Sequence, residues 1–328
     1  MTHTAAGAKP PRILYLAHGT PELYGVVRSH VPAGFELMTL DSEDPGEVFA
    51  KLPACDVVIV ATRKLDREMI AAAKGLRLAV HQGVGYHDTM DVAALQERAI
   101  PVAVTPNGTP QTVSEHAVML MLAASRRLAF ADAELRQGRF HVNTLRLQSR
   151  TLAGQTVGFI GMGRIGQATA RRLLGWETSG LYVDPVPLTA HQELSLSIER
   201  VDLDTLLREA DVVSLHVPLT DDTRGLIDAG ALGKMKPGAV LVNTARGPVI
   251  EQAALVAALE SGHLGAAGLD VYEQEPVGAG HPLARFPNVV LTPHIAAATR
   301  DTFAAKMQGV FANIERFHAG APLHDQVL

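Results

Sequence analysis

Short apolar runs alternate with helical patterns along most of the 328 residues of the chain. In the first part of the chain, the segment from Pro21 to His30 predicts a helix, and strands are predicted at I-L-Y-L-A, F-E-L-M-T-L, D-V-V-I-V-A and L-R-L-A-V-H. Apolar strands separated by helices are typical of a parallel sheet with both faces covered. The segment I-P-V-A-V-T-P-N-G-T-P, with prolines at 101, 106 and 110, interrupts the alternation and predicts a linker or hinge.

The alternation resumes after this linker. Val113 to Arg136 predicts one long helix that packs on a second domain and extends toward a partner subunit. Strands are predicted at V-G-F-I, L-Y-V, D-V-V-S-L-H-V-P, G-A-V-L-V-N-T, G-A-A-G-L-D-V and N-V-V-L-T-P-H. The last predicted helix, Ala297 to His318, has no strand after it, so its simplest position is on the first sheet. We therefore predict an α/β fold with two doubly wound parallel-sheet domains, one formed by residues 1–103 and 297–328 and the other by residues 104–296.

Composition narrows the class of protein. A hydrophobic fraction of 47% with 19% charged residues is typical of a soluble globular protein. The net charge of -5, without a basic stripe, disfavours nucleic acid as a partner. No apolar segment is long enough for a membrane span, and residues 1–11, a predicted loose tail, lack the apolar centre of a secretion signal, so we expect a cytoplasmic protein. The single cysteine, Cys55, excludes an internal disulfide and a cysteine-based zinc site.

The pattern G-x-G-x-x-G follows the strand predicted at residues 157–160. Gly161 allows a tight turn, Gly163 allows the backbone to approach a pyrophosphate, and Gly166 allows the next helix to pack against the strand. The N–H groups at the start of that helix would face the phosphates. Asp184, at the end of the next apolar run, can accept hydrogen bonds from the ribose hydroxyls. An ordinary glycine-rich turn is the alternative, but strand, helix and acidic residue together favour a dinucleotide site.

Asp184 also predicts which dinucleotide is bound. Its carboxylate would repel the 2′-phosphate of NADP, and the residues from Pro185 to Ala190 contain no Arg or Lys that could receive this phosphate. NAD is therefore the predicted cofactor.

A second glycine-rich segment, Gln82 to Tyr86, follows the fourth predicted strand. Open parallel sheets bind ligands beyond the carboxyl ends of their strands, and N–H groups at Gly83 and Gly85 could hold a small anion. The segment also fits a plain connection to the helix predicted at Asp88 to Arg98, and the residues alone leave both interpretations open.

Four ionisable residues follow strand ends in the second predicted sheet: Arg246, Asp270, Glu275 and His294. These ends should line one crevice. A histidine suits proton transfer near neutral pH, a carboxylate beside it favours the imidazolium, and an arginine offers a bidentate fork for a substrate carboxylate. Each of them alone could be an ordinary surface group or ion pair. Their joint position favours a catalytic site.

These residues belong to a longer series of motifs in one order. The series is Gly83-Val84-Gly85-Tyr86, Ser114-Glu115-His116, the Gly161 loop, Leu215-His216-Val217-Pro218-Leu219, Met235-Lys236-Pro237-Gly238, Asn243-Thr244-Ala245-Arg246-Gly247, Gly268-Leu269-Asp270-Val271, Glu275-Pro276 and Thr292-Pro293-His294-Ile295. It resembles the D-isomer-specific 2-hydroxyacid dehydrogenases, which include glyoxylate/hydroxypyruvate reductases, phosphoglycerate dehydrogenase and D-lactate dehydrogenases. The resemblance runs from about Val80 to Thr299.

The resemblance implies an NAD-binding Rossmann domain and a discontinuous flavodoxin-like substrate domain, with the active site in the cleft between them, in a homodimer. His294 would be the acid and base, tuned by Glu275, and Arg246 would bind and polarise a small 2-oxo acid. The N–H groups of Val84 and Gly85 would take the substrate carboxylate. Zinc or another metal has no role. Residues implied to bind the coenzyme are Gly161, Gly163, Arg164, Ile165, Gly166, Asp184, His216, Val217, Pro218, Thr244, Ala245, Asp270, for the nicotinamide carboxamide, and His294.

Some positions depart from the family's pattern. Asn107 stands where Gly is usual, and His87 replaces the usual Asp or Asn after G-V-G-Y. We expect no C-terminal regulatory domain. Glu275, rather than Gln, and Thr109, rather than Asn, argue against a formate dehydrogenase. The main alternative to an enzyme is an NAD(H)-binding regulatory protein, a corepressor-like class that the family also contains. The presence of Arg246, Glu275 and His294 favours the enzyme.

Overall fold

The computed structural model describes residues 10–328, so most of the tail predicted over residues 1–11 lies outside the described residues. Contacts divide the chain into two compact units. Unit 1 consists of the described residues up to Thr109 together with Thr299–Leu328, and unit 2 is Pro110–Ala298. The domain boundaries predicted from the sequence lie a few residues earlier at both crossings.

Unit 1 is built on a five-stranded parallel sheet. Its strands are β1 (Arg12–His18), β2 (Glu36–Leu40), β3 (Val57–Val60), β4 (Leu78–His81) and β5 (Val102–Val104). They lie in the order β2-β1-β3-β4-β5, and every pair is parallel. This is the flavodoxin-like order of a doubly wound sheet.

The linker predicted around Pro101 to Pro110 was wrong in part, because Val102–Val104 forms strand β5 at the edge of this sheet. Its residues are buried and pair with Ala79, Val80 and His81 of β4. Three residues between two prolines are too few to show an alternating or apolar strand pattern, so the prolines alone determined the prediction for this segment.

Helices cover both faces of the unit 1 sheet. They are α1 (Pro21–Ser29), α2 (Pro45–Lys51), α3 (Arg67–Ala72), α4 (Tyr86–Thr89) and α5 (Val92–Glu97), with a 3-10 turn at Leu52–Ala54. Alternate side chains of β1 enter two separate apolar clusters, Leu14 and Leu16 in one, Ile13 and Tyr15 in the other. Apolar residues on both faces of one strand explain the continuous apolar runs in the sequence.

Unit 2 contains a seven-stranded sheet that is parallel throughout. Its strands are β6 (Thr156–Ile160), β7 (Ser179–Val183), β8 (Ile198–Arg200), β9 (Val212–Leu215), β10 (Ala239–Asn243), β11 (Leu264–Leu269) and β12 (Val289–Leu291). The order is β12-β11-β10-β9-β6-β7-β8. The chain therefore winds outward in both directions from β6, and the topological switch point lies between β6 and β9, as in a Rossmann fold.

The helices of unit 2 are α6 (Thr109–Ser125), α7 (Leu128–Arg136), α8 (Val142–Gln148), α9 (Arg164–Arg172), α10 (Ala190–Leu196), α11 (Leu203–Glu209), α12 (Ala229–Lys234) and α13 (Gln252–Glu260). Two 3-10 turns lie at Gly247–Val249 and Pro282–Arg285. The single long helix predicted over 113–136 was wrong, since Arg127 has a left-handed φ of 52° and separates α6 from α7. The α6 residues Leu120 and Met121 pack with Phe159 against the sheet.

The chain then returns to unit 1 with its last helix, α14 (Arg300–His318). Thr299 caps the helix by accepting a hydrogen bond from the N–H of Thr302. Met307, Val310 and Ile314 pack with the strands of the first sheet. The last helix therefore packs in unit 1, as the sequence predicted, and the predicted class of two doubly wound parallel sheets is confirmed.

Candidate active site

The loop after β6 has the geometry expected of its three glycines. Gly161 has a φ of 97°, and a Cβ there would lie 2.7 Å from the backbone carbon of His216. A Cβ at Gly166 would lie 2.3 Å from the carbonyl oxygen of Gly161, so helix α9 packs directly on the loop. A Cβ at Gly163 would meet no atom within 4 Å. The chain is therefore tight where glycine is structurally required and open at the position predicted to face the pyrophosphate.

Helix α9 begins at Arg164 and is capped by Gly163 without a side-chain hydrogen bond. Its first residues, the exposed Arg164 and the half-buried Ile165, present the helix N-terminus at the carboxyl edge of β6. No acidic side chain stands in the first turn of this helix. The dipole of the helix and its open first turn suit an anionic group.

Asp184 lies directly after β7, beside this loop. Its carboxylate accepts hydrogen bonds from the N–H of Met162 at 2.7 Å and from the N–H of Val186 at 2.8 Å. The guanidinium of Arg200, at the end of β8, donates to the carbonyl oxygen of Asp184 at 3.0 Å. A cation therefore lies near Asp184 although the residues that follow it in sequence contain none.

The segment after β9 lies on the other side of the switch point. The N–H of His216 donates to the carbonyl of Ile160 at 2.8 Å, which holds His216, Val217 and Pro218 next to the Gly161 loop. Although part of His216 is exposed, its Nδ1 is buried without a hydrogen-bond partner, and Nε2 lies 3.0 Å from the hydroxyl of Ser214. Burial lowers the pKa of this imidazole to about 4, so the ring is neutral at pH 7.

Thr244 and Ala245, after β10, are both buried, and the hydroxyl of Thr244 has no hydrogen-bond partner among the described residues. Buried hydroxyls are normally paired, so an unpaired one beside the sheet's carboxyl edge suits a bound ligand. Together with the open position at Gly163, this arrangement fits a dinucleotide lying across the switch point.

Arg246 is positioned by the turn that follows β10. The side chain of Asn243 accepts from the N–H of Ala245 and donates to the carbonyl of Arg246, both at 2.9 Å. Next in sequence, Gly247 packs so closely on Tyr272 that a Cβ would lie 1.9 Å from the Tyr272 backbone. This glycine brings the arginine turn against the segment that carries Glu275.

Glu275 and His294 form the central pair of the site. Oε2 of Glu275 lies 2.7 Å from Nδ1 of His294, and Oε1 accepts from the N–H of Tyr272 at 2.9 Å. Burial raises the pKa of Glu275. The hydrogen bonds from His294 and Tyr272 and the positive charge of Arg246 have the larger, opposite effect, so the net pKa lies below its usual value. Glu275 is therefore a carboxylate at neutral pH, and 34% of its side chain remains exposed.

The turn that carries His294 is unusual in its backbone and in its anchoring. His294 has a left-handed φ of 53°. The buried carboxylate of Asp270 accepts hydrogen bonds from the N–H groups of Ile295 at 2.9 Å and Ala296 at 2.8 Å, and the Asp270 carbonyl accepts from the N–H of His294 at 2.8 Å. Its two side-chain oxygens thus have partners within the protein. The predicted contact of Asp270 with the nicotinamide carboxamide stays a prediction.

Val84 and Gly85 lie in unit 1, in the loop between β4 and α4. Val84 is exposed, and the carbonyl of Gly85 accepts from the hydroxyl of Thr89 at 2.8 Å. The adjacent Gly83 packs on the ring of His81, where a Cβ would lie 3.2 Å from the ring. The loop therefore follows a strand end, as predicted, and its role in binding substrate stays a prediction.

Within residues 10–328, no group of three or more His, Cys, Asp or Glu side chains is placed to hold a metal ion. No helix in this described part of the chain combines the length and apolar character needed to cross a membrane.

Residues 118–296, which span most of unit 2, match the family model for the NAD-binding domain of the D-isomer specific 2-hydroxyacid dehydrogenases. The chain belongs to this family. The match confirms the predicted family membership and the predicted NAD-binding domain.

Among relatives of this 2-hydroxyacid dehydrogenase family, a glyoxylate reductase from Korarchaeum cryptofilum is 38% identical over 89% of this chain and 89% of its own length. A D-3-phosphoglycerate dehydrogenase from Archaeoglobus fulgidus is 37% identical over 90% of this chain. The chain spans only 55% of the length of that relative. A solved formate dehydrogenase structure from Granulicella superposes with a TM-score of 0.89 at 27% identity, covering 97% of each chain.

Several residues that build the site were given no role by the sequence. The hydroxyl of Tyr272 donates a hydrogen bond to the carbonyl of Thr292 at 2.9 Å. Nε2 of His116 contacts the hydroxyl of Thr292 and the carboxylate of Asp270. Arg200 approaches Asp184 from a separate strand. His116 and Thr292 lie within motifs that resemble those of the family, and this resemblance was the one feature of the sequence that could have indicated a role for them. Tyr272 and Arg200 carried none, because their contacts depend on how distant segments pack.

Proposed function

We propose that this protein is an NAD-dependent reductase of small 2-oxo acids, which in reverse oxidises D-2-hydroxy acids. The observation that carries the proposal is the contact of 2.7 Å between Glu275 and His294 at the carboxyl edge of the sheet that carries the Gly161 loop. Such a pair can transfer a proton. Membership of the family implies NAD as the coenzyme for the hydride transfer that accompanies it.

Each of these residues has its own role in the proposed reaction. NADH, when bound, supplies the hydride that reaches the carbonyl carbon. Nδ1 of His294 is held by Glu275, so Nε2 is the nitrogen that gives its proton to the carbonyl oxygen during reduction and takes it back during oxidation. Arg246 binds the carboxylate and polarises the carbonyl of the substrate. The N–H groups of Val84 and Gly85 are proposed as further donors to the carboxylate.

The coenzyme is proposed to lie along the residues at the switch point. The first turn of α9 takes the pyrophosphate, Asp184 accepts from the adenosine ribose, and the segments after β9 and β10 line the nicotinamide half. The unpartnered hydroxyl of Thr244 and the open position at Gly163 support this placement.

Glyoxylate and hydroxypyruvate are the first substrates to test, because they are small and relatives of the chain are named for them. The likeness to a formate dehydrogenase concerns the fold. For the chemistry, Glu275 beside His294 supports acid–base catalysis on a 2-oxo acid rather than formate oxidation, since hydride loss from formate needs no proton transfer to a carbonyl oxygen.

The direct test follows NADH absorbance in the presence of glyoxylate, hydroxypyruvate, pyruvate and bulkier 2-oxo acids. We expect NADH to be consumed with at least one of them and the matching D-2-hydroxy acid to form. If tight NADH binding were found without turnover across the panel, the alternative of an NAD(H)-binding regulatory protein would be favoured. The enzyme names of the relatives support the first outcome.

We also propose that the protein is a homodimer in the cytoplasm, as the family resemblance implies. Apolar side chains on α7, α8 and the loop between them support a protein-binding surface, because Leu135, Phe140 and Leu147 are 58%, 78% and 89% exposed. Light scattering should give the mass of a dimer, and Leu135→Asp combined with Phe140→Asp should give a monomer. A wild-type protein of monomer mass would contradict the proposal.

A further inference from the structure

A cluster of hydrogen bonds lies directly behind the turn that carries His294. Its centre is Asp270, whose side chain is fully buried. Three successive N–H groups, those of His294, Ile295 and Ala296, donate to the carbonyl or the carboxylate of this one residue. Because His294 has a φ of 53°, its backbone is held in a conformation that L residues rarely adopt. The Asp270 contacts are what hold it there.

The carboxylate also has side-chain partners. The hydroxyl of Thr292 donates to Oδ1 of Asp270 at 2.5 Å. Nε2 of His116 lies 2.9 Å from the Thr292 hydroxyl oxygen and 3.4 Å from Oδ1 of Asp270. Burial raises the pKa of Asp270, but the hydrogen bonds from His116, Thr292 and the two N–H groups outweigh it and lower the net pKa. Asp270 is therefore charged in the interior of unit 2.

The geometry indicates that Nε2 of His116 carries a proton. The Thr292 hydroxyl has a single proton, and the short contact of 2.5 Å places that proton in the hydrogen bond that Thr292 donates to Oδ1 of Asp270. Nε2 of His116 must then be a donor, to the hydroxyl oxygen and toward the carboxylate. The result is a chain of donors from His116 through Thr292 to Asp270.

His116 differs from its neighbours in the helix that carries it. The α6 residues Ala117, Leu120 and Met121 are buried among apolar side chains, and Leu120 and Met121 pack on the sheet. His116 instead contacts the end of β12 and the carboxylate after β11. Only 11% of its side chain is exposed. These contacts join α6 to the turn that carries His294.

We propose that His116 is a positioning residue for His294. It holds Thr292 and the charged Asp270 in the arrangement that fixes the left-handed turn at residue 294, and hence the ring of His294 against Glu275. This inference rests on the proposed role of His294 as acid and base. It adds that the position of the acid depends on a residue that contacts Thr292 and Asp270 rather than His294 itself.

The test compares His116→Leu with His116→Gln in the full chain, using NADH and the best 2-oxo acid. Leu keeps much of the volume but removes the donor, whereas the amide N–H of Gln can reach the position of Nε2 and still donate. We expect His116→Leu to lower kcat by about 10- to 100-fold, the scale of a displaced catalytic group, while the Kd for NADH changes less than about threefold. His116→Gln should recover most of this loss.

His263→Leu is the matched control, because it removes another half-buried ring of unit 2 whose Nε2 lies 3.1 Å from the carbonyl of Leu232. It should leave kcat unchanged. Equal losses in the Leu and Gln variants of His116, or wild-type kcat in His116→Leu, would overturn the inference.

A second variant keeps the test decisive if His116→Leu does not fold. Thr292→Val removes the middle donor of the chain with nearly the same shape, and it should lower kcat with little change in the Kd for NADH. In the double variant with His116→Leu, where that protein folds, the two losses should be less than additive, because both break one chain. Wild-type kcat in Thr292→Val would contradict the inference. If His294→Ala itself retained activity, the proposed role of His294 as acid and base would fail, whereas the absence of turnover with every 2-oxo acid would be a failure of the proposed function; both differ from a failure of His116→Leu alone.

Discussion

Oε2 of Glu275 lies 2.7 Å from Nδ1 of His294, although the two residues are 19 positions apart in the chain and strand β12 lies between them. Backbone hydrogen bonds support both residues. Oε1 of Glu275 accepts from the N–H of Tyr272, and the N–H of His294 donates to the carbonyl of Asp270. The pair is therefore set by the fold and not by flexible side chains meeting at the surface.

Removing the charge of Glu275 should move the pH dependence of the reaction. In the oxidation direction the rate rises with pH as His294 loses its proton, and a neighbouring carboxylate favours the protonated ring. Glu275→Gln should therefore move this acidic limb to lower pH. The measurement is kcat against pH with NAD and the hydroxy acid. Glu273→Gln, which removes an exposed charge two residues away, should leave the limb in place. A limb that stays fixed in Glu275→Gln would contradict the tuning role.

Arg246 is assigned both binding and polarisation of the substrate, so its loss should affect two constants. Arg246→Ala should raise KM and lower kcat by roughly 10² or more, since it removes a charge-assisted contact that strengthens in the transition state. Arg246→Lys should recover only part, because a lysine lacks the planar fork. Steady-state kinetics would show this. Arg285→Ala, at an arginine paired with Glu260, serves as control. A change in KM alone would limit Arg246 to binding.

Asp184 should decide the coenzyme. Two like charges about 4 Å apart repel by about 4 kcal/mol at an effective dielectric of 20, so kcat/KM should favour NADH over NADPH by more than about a hundredfold even after screening. Asp184→Ser should narrow this ratio. Arg200 then becomes the cation available to the 2′-phosphate, and Asp184→Ser with Arg200→Ala should use NADPH less well than Asp184→Ser alone. Comparable use of both coenzymes by the unmodified protein would show that Asp184 does not face the ribose.

The sequence predicted the architecture and the proximity of Glu275 and His294, because parallel strands end at one edge and polar residues directly after apolar runs therefore converge. It could not predict strand β5, whose three residues lie between proline signals. It also missed the break at Arg127, because the apolar spacing of a helix continues through that residue while its backbone does not.

Contacts that depend on packing between distant segments were equally out of reach. Arg200 reaches Asp184 only because β8 lies next to β7. The role of His116 depends on α6 packing against β11, where Gly268 admits Leu120 so closely that a Cβ on the glycine would lie 2.9 Å from the Leu120 Cβ. Neither spacing nor residue type indicates such contacts.

Asp270 should make stability depend on pH in the acid range. Its pKa in the folded protein is lowered, so its stabilising effect is present above its unfolded value near 4 and is lost as the pH falls through the folded value. Denaturant unfolding of the wild type from pH 7 to pH 3 should show this loss. Asp270→Asn should be less stable at pH 7 by roughly 2–5 kcal/mol and should lose less on acidification. Equal acid losses in both proteins would assign the effect to other groups.

The most direct measurement of the central claim is kcat for His294→Ala together with its Kd for NADH. If His294 is the acid that protonates the carbonyl oxygen, kcat with the best 2-oxo acid should fall by roughly 10² to 10⁴, the range for a positioned general acid, while NADH binds nearly as tightly as in the wild type. A kcat close to that of the wild type would show that the proton comes from elsewhere and that the mechanism proposed for Glu275 and His294 is wrong.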